Sequence, residues 1–112
     1  MTARTETWLW LAQRGAAIVL TLFVAVHLAT IVYAVRHGLS AAAILERTQG
    51  NTVWLAFYLV FAACVAIHGG IGLRTVIREA TTWRGTSLDL ATAVIVVGLT
   101  LAGWRAALAL FA

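Results

Sequence analysis

Three long stretches of this 112-residue chain carry almost no charge, and that feature limits its fold more than any other. The first runs from Gly15 to Val35, broken only by His27. The second runs from Thr52 to Leu73, contains His68 and stops at Arg74. The third runs from Leu90 to Trp104 and continues through Arg105 to Ala112. About 20 apolar residues cross ~30 Å of hydrocarbon, so each stretch can span a bilayer, the third by letting Arg105 snorkel to the headgroups. A water-soluble core cannot absorb a chain that is 62% hydrophobic and 11% charged. The expectation is an all-α membrane protein of three transmembrane helices, antiparallel and up-down-up, forming one domain over residues 1–112. Its spans fall near 10–35, 52–77 and 87–110, with an outer loop at 36–51 and an inner loop at 78–86. The first apolar run is too long for a signal-peptide core and no cleavage pattern follows it, so the sequence reads as mature from residue 1.

Charge then orients the spans. The net charge of +4 comes from arginine alone, scattered rather than gathered into a stripe, which argues against a nucleic-acid partner. Arg4, Arg14, Arg74, Arg78 and Arg84 fall on one side of the three spans, and Arg36, Arg47 and Arg105 on the other. The richer side is cytoplasmic by the positive-inside rule, which puts the amino terminus inside. Trp8, Trp10 and Trp83 mark the inner interface, Trp54 and Trp104 the outer one, as aromatic belts do. The lone cysteine, Cys64, lies in the second span and reads as a packing residue.

The connections carry local signals. Ser40 is placed to cap a short interfacial helix ending near Arg47. Thr86 with Asp89 has the spacing of a capping box, which starts the third helix near Ser87. Ala62, Ala66 and Gly70 form a row of small residues suited to close helix approach in lipid, and Gly69 and Gly72 add to it.

Ionisable side chains inside a span are expensive and point to function by default. For His68, Gly72 lies one turn further on the same face, so a flat macrocycle ligated through the imidazole meets no side chain there. His68 is therefore the candidate haem iron ligand. His27 is a candidate ligand of a second haem, or a histidine that simply packs. The two cannot clamp one iron. At 1.5 Å per residue they sit about 15 to 20 Å apart in depth, so each needs an opposing ligand from another chain. Gln13 and Arg14 begin the first apolar run; Arg14 either snorkels to the inner headgroups or, with Gln13, donates to a quinone carbonyl or a haem propionate. Arg74 and Arg78 face the same alternatives at the inner end of the second span. Asp89 reads as a cap residue, or as a proton donor to a quinone. His37, in the outer connection, reads as a solvated surface residue.

The segment His68-Gly69-Gly70-Ile71-Gly72-Leu73-Arg74 resembles the H-x-x-x-G-x-R signature of the cytochrome b membrane-anchor subunits of succinate dehydrogenase and fumarate reductase. Gln13-Arg14-Gly15, at the start of the first of three spans, is similar to the arginine site that serves quinone and haem propionate binding in those anchors. Trp10 stands where the family often has a serine, and Thr75 where it often has a histidine. The resemblance implies that His68 is an axial ligand of haem b, with Gly72 in its motif and Gln13, Arg14, Arg74 and Arg78 about the cofactor and quinone. It implies one haem b, or two if His27 also ligates, shared with a second membrane-anchor subunit or a symmetric copy, so that the chain is half of a larger heterodimeric helical bundle. It further implies an iron–sulfur subunit and a flavoprotein subunit as partners, in the cytoplasmic membrane of a bacterium. This chain has no soluble domain for flavin or dicarboxylate, so its share of the reaction is the quinone half. Two other readings stand beside this one: a cytochrome b subunit of another quinone-linked dehydrogenase, and a haem-free structural membrane subunit.

Overall fold

Helices are the only open-chain structure that satisfies every backbone group within hydrocarbon, and the three apolar stretches fold accordingly. A computed structural model of the chain describes residues 2–112 as four helices: α1 (Ala3–His37), α2 (Ala41–Thr48), α3 (Thr52–Ala80) and α4 (Thr86–Phe111). Among the described residues there is no strand. α1, α3 and α4 are each long and apolar enough to cross a membrane. The bundle measures 49 × 23 × 23 Å, enough to span the ~30 Å hydrocarbon layer and reach both headgroup regions. Large apolar side chains such as Ile18, Leu22 and Val94 are exposed along it, as a lipid-facing surface requires.

The helix ends follow local chemistry, with one exception. Thr2 caps α1 by accepting from the Thr5 amide, and Asn51 caps α3 by accepting from the Trp54 amide. Ser40 caps α2, its Oγ accepting from the Ala43 amide at 3.1 Å, as expected. Between them Gly38 turns the chain at φ +132°, a conformation that favours glycine. The exception is α4. It starts at Thr86 behind Gly85, with no side-chain cap hydrogen bond, so the expected capping box does not form. Asp89 is drawn instead to an arginine on α3.

α3 is the middle element, packing against α1 on one side and α4 on the other. Small residues let α3 and α4 approach closely. A Cβ added at Gly103 would lie 2.5 Å from the Ala62 Cβ, and one at Gly70 would collide with Val96. Trp104 crosses the same seam, donating from Nε1 to the Leu59 carbonyl at 2.9 Å. At the outer end the Thr48 hydroxyl donates to the Leu110 carbonyl at 2.9 Å and the Gly50 amide to that of Phe111, fastening the α2–α3 turn to the end of α4.

Candidate functional site

The inner half of α3 carries the candidate site, since His68, Gly69, Gly72 and Arg74 all lie within two turns of it. His68 is partly buried in the span. Its Nδ1 is enclosed without a hydrogen-bond partner, and its ring makes no hydrogen bond to the described residues. An imidazole without hydrogen bonds in hydrocarbon costs free energy, and with Nδ1 enclosed it is Nε2 that a group outside the chain could engage.

The space beside His68 is arranged differently from the sequence expectation. The Gln13 amide of α1 fills the gap at Gly72: a Cβ added there would lie 3.1 Å from Gln13 Nε2. The open surface is at Gly69, the next residue after the histidine, where an added Cβ meets nothing within 4 Å. Gly72 thus lets α1 approach α3, and Gly69 leaves the outward face bare. The signal for Gly69 was present in the glycine run, but only the register of α1 against α3 separates the two roles.

Arg14 follows on α1. It is exposed, lies 5.1 Å over the Trp10 ring, and has no carboxylate within ion-pair distance among the described residues. Arg74 is the opposite case. Only 5% exposed, it donates from Nη2 to Glu6 Oε1 at 2.8 Å and from Nε to Asp89 Oδ1 at 3.0 Å. A single guanidinium thereby joins α1, α3 and α4. Arg78, one turn on, donates to Glu6 Oε2 at 3.1 Å and is more open. In this structure both arginines at the inner end of α3 are held by this chain's own carboxylates. The sequence reading missed Glu6. The clue was scarcity: the chain has four acidic residues, and three of them, Glu6, Glu79 and Asp89, lie at the arginine-rich inner interface, where unpaired charges are costly.

His27 does not join this group. Its ring packs edge-on to Tyr58 at 5.9 Å and Phe61 at 5.4 Å between centroids, which sets it level with residues 58–61 of α3. His68 lies seven to ten residues further along, so the two are about 10 to 15 Å apart in depth at 1.5 Å per residue. That is shorter than the separation expected from the sequence, and still too far to share an iron. The His27 Nδ1 is likewise enclosed and unpartnered. His37 stacks on Tyr33 at the outer surface, with its Nδ1 3.0 Å from the Tyr33 carbonyl. Cys64 is a partly buried free thiol. Among the described residues no three His, Cys, Asp or Glu side chains gather into a metal site.

The chain thus presents three membrane-length helices, with a histidine in the second half of the middle one and an arginine near the start of the first. The succinate dehydrogenase/fumarate reductase transmembrane subunit model matches residues 1–107. The chain belongs to that family. No curated protein and no solved structure matches it. Family membership places the chain with succinate dehydrogenase/fumarate reductase rather than with another quinone-linked dehydrogenase, and makes it a membrane subunit of a complex with other subunits of that enzyme.

Proposed function

We propose that this chain is the cytochrome b anchor of a succinate:quinone oxidoreductase or quinol:fumarate reductase, holding haem b through His68 and framing a quinone site near the cytoplasmic face. The observation that carries the reading is the unpaired imidazole of His68 beside the bare surface at Gly69. Haem suits that pair, because it needs one neutral imidazole from this chain and a flat open approach. When bound, haem supplies a one-electron carrier at this depth.

The residues around it divide the remaining work. Arg14, free of carboxylates and stacked on Trp10, is placed to receive a propionate or a quinone carbonyl, to which its planar donors are matched. Gln13 presents an amide beside Gly72. Arg74 and Arg78 keep Glu6 and Asp89 neutralised and so fix the three helix ends that surround the site. Quinone takes up two electrons and two protons on reduction, and a site at the cytoplasmic interface gives both protons a short path from water. The electrons arrive from, or leave to, an iron–sulfur subunit docked on that face, with a flavoprotein beyond it handling succinate or fumarate. A second anchor subunit, or a symmetric copy, would share the haem with His68. The setting is the cytoplasmic membrane of a bacterium, with the amino terminus inside.

The reading assigns one haem. Reduced-minus-oxidised absorption spectra of the purified complex test it. The wild-type complex gives a haem b band at one per flavin, and His68→Ala loses it while His27→Ala keeps it. Unchanged haem content in an assembled His68→Ala complex refutes the assignment.

A further inference from the structure

At the opposite end of the bundle lies a cavity of about 710 Å³, between the outer half of α1, the short α2 and the start of α3. Val26, Ile31, Leu39, Ile44 and Trp54 give it an apolar interior, and no acidic residue lines it. Its volume falls within the range of sites that enclose a small ligand, ~300 to 1,000 Å³. The redox reading above makes no use of it.

Arg47, on α2, sets the chemistry of its rim. The guanidinium lies 5.3 Å from the centre of the Tyr33 ring and donates from Nη2 to the Gly38 carbonyl at 2.9 Å. Those two contacts fix it in place and use one of its five N–H donors. Among the described residues no carboxylate comes within 4.0 Å of it, and every ion pair present lies at the other end of the bundle. A partly buried cation, pre-positioned over an aromatic ring and lacking a counter-charge, stands where an apolar cavity meets the headgroup layer. Guanidinium binds phosphate through paired donors, and basic pockets between membrane helices recognise anionic headgroups.

We propose that this cavity binds an anionic phospholipid from the leaflet on the α2 side, with an acyl chain in the cavity and the phosphate on Arg47. The charge argument favours this occupant: the tail matches the apolar lining, and the head supplies the missing counter-charge. His27, packed edge-on against two rings, then forms part of the cavity wall.

The test uses the intact complex, delipidated in mild detergent and reconstituted into nanodiscs of phosphatidylglycerol or of phosphatidylcholine, with retained lipid counted by native mass spectrometry. The expected result is preferential retention of phosphatidylglycerol, reduced about tenfold in Arg47→Gln, as loss of one charge-assisted pair implies. Arg47→Lys keeps most of the preference, and Ala34→Trp, which fills the cavity from α1, abolishes retention of both lipids. Equal retention of the two lipids, or a preference indifferent to Arg47→Gln, overturns the proposal. So does displacement of the lipid by inorganic phosphate alone, or a second haem or a quinone lost on filling the cavity. Haem bound at His68 is measured in the same samples, so failure here is distinguishable from failure of the redox assignment.

Discussion

Replacing Arg74 by methionine removes a buried cation from between two carboxylates and keeps most of its hydrocarbon volume. Breaking a buried ion pair from one side costs about 3–5 kcal/mol, because the other charge is left without compensation. Here Glu6 keeps its pair with Arg78, and both carboxylates retain some access to the interface, with Glu6 at 36% and Asp89 at 28% exposure. Partial solvation lowers the expected cost to roughly 2–3 kcal/mol, a factor of about 30 to 150 in the folding equilibrium. Arg78 is the internal control, since its side chain is 38% exposed and its salt bridge is to Glu6 alone. Arg78→Met should cost under ~1 kcal/mol. Reversible unfolding in mixed micelles, followed by tryptophan fluorescence, measures both. A double-mutant cycle of Arg74→Met with Asp89→Asn should show coupling of at least about 0.5 kcal/mol. If Arg74→Met costs no more than Arg78→Met, the three-helix ion cluster does not hold the inner end together and the reasoning is refuted.

Other substitutions probe the helix seam, the candidate site and the outer turn. Gly103→Ala places a methyl group 2.5 Å from the Ala62 Cβ and should destabilise by about 1–3 kcal/mol, whereas Gly98→Ala, with nothing within 4 Å, should change stability by less than about 0.5 kcal/mol; the same unfolding assay separates them. A Cβ added at Gly69 meets nothing within 4 Å, so with Gly69→Leu the fold should persist while haem content of the complex, read from its spectrum, falls by at least half. Ser40→Ala removes the cap of α2 and should cost about 1 kcal/mol, visible as faster amide exchange at residues 43–44.

The spans were legible in the sequence because membrane crossing depends on the length and polarity of a run, which composition alone reveals. Ser40 was legible for a related reason: a cap acts on an amide three residues away. What escaped were the pairings between helices. Nothing periodic in α1 says that Glu6 lies opposite Arg74, 68 residues later. The register of α1 on α3 also decided that Gln13 would occupy the space at Gly72. Asp89 had the correct spacing for a local role, but a buried guanidinium on α3 offered a stronger partner than the free amides of its own first turn. The outer cavity was invisible for the same reason, since Val26, Arg47 and Trp54 meet only once α2 folds back.

Glu6, Arg74 and Asp89 leave the ribosome in that order, and their contacts bear on how the protein enters the bilayer. When α3 emerges, its most deeply enclosed cation already has an acid waiting on α1, so the first two helices can leave the translocon as a neutralised hairpin. α4 then arrives with a second carboxylate and locks an arrangement that is already electrically settled. A chain ending after Ala80 should still insert both of its long helices, whereas one lacking its first eight residues would deliver α3 to lipid with its arginine bare.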